Sequence, residues 1–417
     1  MTDAVPNLFK GIAVVIDNGI QTEDAIKRIL QNIRDAGGHA IELPALPPIE
    51  YDLEHFSRAS FFIMDWNLAN DGGGPLEAGV RLPAGLHEEM IADNIAFLKR
   101  LSQSRHAPVF IFSNEDPDSI VEELRADKDL HRSVEESHIL VMRKSDVVDK
   151  LYSVLEDYAQ SNPSVLTLKT WERNYIRAAN DLFIDLHNRT PFWPVLVWQT
   201  FGADEVPPEV EMNKLLNRLV ESRMAFLDVD LEPFTKDVAE HKAKDEEAYR
   251  ASVFRVLEGE RFLRNDRLKP DYYAPGDIFA TKVSDTQTSH WMNVRAECDC
   301  LRGGEDHQLY LLKVQEVTDV ETRIDAAYGI IKNEKDNETF VFAMMDGKTF
   351  TVKFKDMKIK TLKQLGADKS ERIGRLLPPF VTRVQQRYST YMQRPGLPRI
   401  PPMFYQTERA DERQVRS

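Results

Sequence analysis

The chain has 417 residues, 42% hydrophobic and 29% charged, with 19 Gly and 22 Pro; it holds enough apolar material for two or three domains of about 150 residues each, and disordered, collagenous and low-complexity classes are excluded. A formal net charge of −14 argues against a protein that coats nucleic acid along its whole length, while leaving room for a local basic face. No run of about 18 apolar residues and no secretory pattern in MTDAVPNLFKG is found, and the two cysteines, Cys298 and Cys300, are too close to staple a fold. The expectation is a cytoplasmic protein with no membrane segment.

Short apolar runs recur through the first 160 residues: 11–16 (GIAVVI), 39–42 (HAIE), 60–64 (SFFIM), 108–112 (PVFIF) and 138–142 (HILVM). Runs of this kind suit strands buried on both faces. Between them, residues 22–36, 88–102, 118–126 and 146–160 carry apolar residues at three- and four-residue intervals, as helices lying on a sheet require. Thr22, followed by Glu23 and Asp24, reads as a helix start in which Thr22 caps, and Gly37-Gly38 reads as its stop. The fold class that follows is α/β, a doubly wound five-stranded parallel sheet over residues 1–160.

Past Pro163 the strand rhythm stops. Residues 166–188 read as a long helix with Trp171, Tyr175, Ala178, Leu182 and Leu186 on one side, and helical periodicity continues over 210–226 and 237–264. The aromatic cluster Phe192, Trp193, Trp198 and Phe201 reads as core, with a docking groove as the alternative. Residues 277–281, 290–299, 309–317, 339–344 and 348–354 read as strands of a small antiparallel barrel or sheet. A basic helix near 369–392 and a proline-rich tail, 394–402, close the chain. The expected organisation is thus 1–160, a helical region 161–268, a β domain 269–366, and a basic helix with tail 367–417.

In an open α/β sheet, ligands bind beyond the carboxyl ends of the strands. The residues there are Asp17 and Asn18 after the first run, Asp65 after the third, Ser113 after the fourth and Lys144 after the fifth. Phosphoryl transfer to a carboxylate has a use for each: a nucleophile, oxygen ligands for Mg²⁺, a hydroxyl for a phosphoryl oxygen, and an ammonium to offset its charge. In this order, VVIDNGI, FFIMDWNL, PVFIFSN and ILVMRKSD resemble the response-regulator receiver domain of two-component signalling. The resemblance covers roughly residues 10–160 and is to the divergent receivers found in bacterial conflict and phage-defence operons. It implies Asp65 as phospho-acceptor, Ser113 and Lys144 on the phosphoryl oxygens, and Mg²⁺ held by Asp17, Asn18, Asp65 and the main-chain carbonyl of Asn67. It also implies a histidine kinase as partner and no enzyme activity of the chain's own beyond phosphoryl acceptance.

Four features depart from that pattern. Asn18 stands where a second acid is usual, Val141 where an aromatic switch residue is usual, and Ser145 where a proline usually follows the lysine. The fourth is the 47-residue separation of Asp65 from Ser113. A pseudo-receiver that serves as a docking or homodimerisation scaffold therefore stays open beside the phosphoryl-accepting reading. In residues 352–399, twelve Lys and Arg face three Asp and Glu, a local charge of +9. A downstream effector protein or an acidic patch of the chain itself is favoured as its partner over nucleic acid, since no helix-turn-helix or RNA-binding signature is present. Residues 71–74 (DGGG) lack the Gly-Lys-Ser/Thr of a phosphate loop. Cys298 and Cys300, flanked by His290 and His307, lack the spacing of a zinc site and on a strand would share one face.

Overall fold

The computed structural model describes residues 8–56, 58–68, 84–104, 107–130, 139–301, 306–325, 330–332, 334–395, 400–401 and 404. The DGGG segment and residues 396–399 and 402 of the proline-rich tail lie outside them. The chain divides into two units, Met1–Arg189 with Asn217–Thr235, and Thr190–Leu216 with Lys236–Ser417.

The first unit is built on five strands: β1 (Ile12–Ile16), β2 (His39–Leu43), β3 (Ala59–Met64), β4 (Val109–Ser113) and β5 (Ile139–Arg143). They pair in parallel in the order β2-β1-β3-β4-β5, a flavodoxin-like doubly wound sheet. Side chains alternate along a strand, so each central strand feeds two cores. Ala13, Val15, Phe61, Ile63, Phe110 and Phe112 enter one, and Val14, Ile16, Phe62, Met64, Val109 and Ile111 enter the other. Helices α1 (Asp24–Asp35), α2 (Ala84–Ser104), α3 (Pro117–Ala126), α4 (Lys144–Val147), α5 (Leu151–Ser161) and α6 (Pro163–His187) follow in chain order. α1 and α5 cover the first core through Ile26, Ile29, Ile33, Leu151 and Leu155; α2 and α3 cover the second through Phe97, Leu101, Ile120 and Leu124. Each such side chain is worth about 1.5–3 kcal/mol of burial.

The stop of α1 is the glycine pair that the sequence suggests. Gly37 takes φ +81°, its N–H donates to the Arg34 carbonyl, and the Gly38 N–H donates to Ile33, which is a Schellman closure. The start differs: Glu23, not Thr22, occupies the cap position, and no side chain caps there. α6 is capped by Asn162, whose side chain accepts the Val165 N–H at 3.1 Å. Its expected single apolar side is divided, since Ala178 and Leu182 are buried while Trp171 and Tyr175 are exposed.

The second unit carries α7 (Trp193–Ala203) and, with the chain returning to the first unit at Asn217, part of α8 (Pro208–Glu221). The helices α9 (Thr235–Lys244) and α10 (Glu246–Arg261) follow. Then come β6 (Phe262–Arg264), β7 (Asp277–Lys282), β8 (Thr288–Asn293), α11 (Glu297–Leu301), β9 (Gln308–Glu316) and α12 (Val320–Arg323). The unit closes with β10 (Ile324–Asp325), β11 (Ile330–Ile331), β12 (Glu338–Met344), β13 (Lys348–Thr361), α13 (Leu362–Ala367), β14 (Glu371–Leu376) and α14 (Phe380–Gln393). Seven strands form one curled antiparallel sheet in the order β12-β13-β9-β8-β7-β14-β6, beside the small β10-β11 pair. α14 packs Val381 and Val384 into the larger of its cores, with Phe354 and Leu376.

Three expectations in this unit need correction. The basic helix expected near 369–392 is a strand, β14, followed by a shorter helix, α14. The strand expected over 290–299 ends at Asn293, whose Nδ2 donates to the Ala274 carbonyl while its Oδ1 accepts the Arg295 N–H, bending the chain out of the ladder. Cys298 and Cys300 consequently lie on the helical turn α11, one exposed and one buried, instead of sharing a strand face. The aromatic cluster expected as core is also displaced: no residue of α7 is buried, and Phe192 and Trp198 are exposed. Among the described residues no helix is long and apolar enough to cross a membrane.

Candidate functional site

The first unit's strand order reverses between β1 and β3, and the carboxyl ends flanking such a reversal are where doubly wound sheets bind ligands. Ile16 is level with Met64 across the pair, so Asp17 and Asp65 leave the sheet side by side. The backbone fixes both: the Asp65 N–H donates to the Ile16 carbonyl at 2.9 Å and the Asp17 N–H to Leu43 at 2.9 Å. Lys144, one residue past β5, reaches back to them. Its Nζ lies 2.8 Å from Asp17 Oδ2, 2.9 Å from Asp65 Oδ2 and 3.0 Å from Glu23 Oε2. Lys144 and Asp17 are each 1% exposed, so water screens these contacts little.

Three carboxylates about one ammonium leave two negative charges in a buried pocket. Burial pushes the Asp65 carboxyl up to about 6 against the opposing pull of Lys144, and Asp17 and Glu23 add to the rise. Asp17 is raised for the same first reason, although Lys144 and the Gly19 N–H, at 2.7 Å from its Oδ1, hold it down in part. For Lys144 burial works against the charged form, but Asp65 and Asp17 outweigh it and hold the ammonium above its ordinary value.

The neighbouring loop is tied at several points. Trp66 is buried beside Asp65, its Nε1 donates to Glu123 Oε2 at 3.1 Å, and its carbonyl accepts from Asn94 Nδ2 at 2.6 Å. Asn67 N–H makes a long 3.5 Å contact to Asp65 Oδ1. Asn18 donates through Nδ2 to the Asn67 carbonyl at 3.0 Å. Ser113 is buried at the end of β4 and its Oγ accepts the Glu115 N–H at 3.2 Å.

Thus Asp17, Asp65 and Lys144 are in direct contact, Asn18 and Asn67 are bonded to each other, and Ser113 closes its own turn. The donor set offers hard oxygens and surplus negative charge, which fits Mg²⁺ in kind. Among the described residues, however, no group of three His, Cys, Asp or Glu is placed so that it could hold a metal ion. Sequence reasoning missed Glu23. Its signal was an acid at the cap position of α1, six residues after Asp17, with Gly19 between them.

In the second unit, the basic segment is largely committed to its own acids. Arg375 donates to Asp277 at 2.6 and 3.1 Å, Arg372 to the carbonyls of Tyr272, Lys269 and Pro270, and Arg383 and Arg387 to Glu334. No protein-family model and no curated protein matches the chain.

Proposed function

We propose that the parallel-sheet unit is a receiver-type signalling module that accepts a phosphoryl group on Asp65 from a partner histidine kinase. The observation that supports this most is the Lys144 ammonium seated between Asp17 and Asp65 at three strand ends. Asp65 Oδ1, the oxygen not engaged by Lys144, is the nucleophile. Its electron pair forms the new P–O bond while the P–N bond of the donor phosphohistidine breaks, its pair staying on the imidazole nitrogen. Mg²⁺ held by Asp17, Asp65 and the Asn67 carbonyl, with Asn18 beside them, would offset charge on the transferred oxygens. Lys144 meets one phosphoryl oxygen, and Ser113, buried at the end of β4, is the hydroxyl available for another. The aspartyl phosphate, at about −1.5 to −2 in place of the carboxylate's −1, then biases the adjoining loops, and the second unit relays or buffers the signal by binding an effector protein.

A second reading, a pseudo-receiver scaffold, is favoured by the Asn18 amide, which already ties the Asn67 carbonyl that a cation would use. Incubation with Mg²⁺ and acetyl phosphate separates the two. One phosphoryl group gained in intact mass, and lost in Asp65→Asn, supports the first; no gain, with a histidine kinase donor tried as well, leaves the scaffold.

A further inference from the structure

An ammonium has three N–H donors, and in Lys144 all three are taken, by Asp17, Asp65 and Glu23, at 2.8, 2.9 and 3.0 Å. A phosphoryl oxygen on Asp65 can reach this ammonium only if one carboxylate leaves. Asp17 is pinned by the Gly19 N–H, and Asp65 is the acceptor itself. Glu23 differs from both: its side chain is 22% exposed, against 1% and 6% for the two aspartates. It stands at the cap position of α1 but caps nothing, so its carboxylate is bent inward to Lys144 when it could serve the helix start.

Position 19 is built for that bend. A Cβ on Gly19 would stand 2.7 Å from both Cγ and Cδ of Glu23 and 3.0 Å from Asp17 Oδ1. Its φ lies outside the left-handed region, so conformational freedom is not what glycine supplies here; space for Glu23 is. Charge points the same way. The pocket holds three carboxylates and one ammonium, and turning Asp65 from a carboxylate into an acyl phosphate adds close to one further negative charge. Releasing Glu23 removes one.

We propose that Glu23 is an internal occupant of the phosphoryl-oxygen position on Lys144, holding the third donor in the unmodified protein and leaving it when Asp65 is phosphorylated, which frees the start of α1. This rests on the phosphoryl-accepting reading above. The group it yields to is a tetrahedral phosphoryl-type oxyanion, with the P–O bond to Asp65 formed as the donor's bond to phosphorus breaks and its electron pair leaves with the donor.

The test uses the full chain as wild type, Glu23→Ala and Gly19→Ala. Gly19→Ala evicts Glu23 without removing it; the two closest atoms belong to the flexible Glu23 side chain and Asp17 Oδ1 needs to give by only a few tenths of an ångström, so the variant should melt close to wild type. Three quantities are read with Mg²⁺ present: phosphoryl uptake from acetyl phosphate by intact mass, beryllofluoride affinity by calorimetry, and amide hydrogen exchange over residues 23–27. Both variants should take up phosphate and bind beryllofluoride roughly tenfold or more better than wild type, the worth of one competing charge-assisted hydrogen bond. Exchange at 23–27 should quicken in wild type on adding beryllofluoride, and should already be quick in unliganded Gly19→Ala. Weaker uptake and binding in both variants would overturn the proposal and make Glu23 a support for Lys144 or the cation. So would equal behaviour of all three proteins when wild type is active. Failure of all three to take phosphate or bind beryllofluoride, wild type included, would instead bring down the phosphoryl-accepting reading itself, and this proposal with it.

Discussion

Burial lifts Asp65 from its ordinary 3.8 to about 6, because lost hydration outweighs the Lys144 ammonium 2.9 Å away. A group whose proton is held more tightly in the folded state lends stability that is complete below the unfolded value and lost as pH rises through the folded one. At pH 7.5 the ionised Asp65 therefore costs stability, on the order of 3 kcal/mol from a shift of about two units. Asp65→Asn removes that charge while keeping an oxygen for Lys144. The variant should melt above wild type at pH 7.5, and the gap should close as pH falls from 6 to 4. Thermal melts at half-unit intervals check this, and a gap that does not vary with pH would mean that the pocket does not oppose the Asp65 charge. The same titration bears on function: phosphoryl uptake requires the carboxylate, so its initial rate should fall as pH is lowered through about 6.

At the scale of elements, the curled sheet depends on a close approach that only glycine permits. Gly276, just before β7, has φ +91°, and a Cβ there would lie 2.1 Å from the Leu376 carbonyl oxygen at the end of β14. The two chains are bonded at that point, Leu376 N–H donating to the Gly276 carbonyl at 2.9 Å. Gly276→Ala should cost about 2–4 kcal/mol through left-handed strain and forced separation. Gly366→Ala, in α13 with open space around it, should be neutral or stabilising by up to about 1 kcal/mol. Urea midpoints of the two variants test the contrast. The central parallel strands β1, β3 and β4 were legible because strands covered on both faces are continuous apolar runs, and the carboxyl ends of the sheet named Asp17, Asp65 and Lys144 directly. β14 was not: in ERIGRL, Ile373 and Leu376 are spaced as a helix would space them, and the partners that make it a strand, Asp277 for Arg375 and Phe262 for Gly374, are about a hundred residues upstream. Glu23 was hidden for the same reason. Its place at a helix start was readable, but its partner Lys144 is 121 residues away.

Across the whole molecule the charge of −14 coexists with the +9 stretch of residues 352–399, and what matters for partners is how much of that positive charge is free. Lys353 pairs with Glu338, Lys360 with Asp368, Arg372 and Arg375 with Asp277, and Arg383 and Arg387 with Glu334. Lys358 lies 3.9 Å over the Trp291 ring, and burial, with Lys360 nearby, brings it down to about 8, so part of it is neutral at physiological pH. Arg394 sits over Tyr391 at 3.9 Å. Lys355, Lys363 and Lys369 remain exposed. Each phosphate neutralised contributes about −0.9 to the slope of log affinity against log salt, so among the described residues of the stretch these three lysines and the exposed Arg394 support a slope no steeper than about −4. Binding to a fluorescent single-stranded oligonucleotide, titrated from 50 to 300 mM salt, should accordingly be weak, with Kd in the range of about 10⁻⁵ M or above at physiological salt. A slope twice as steep would require the Asp277 and Glu334 pairs to open toward phosphates, and would make the basic segment a nucleic-acid surface. With the shallow slope, the arginines are internal fasteners of the curled sheet and α14, and a partner of the second unit is to be sought among proteins.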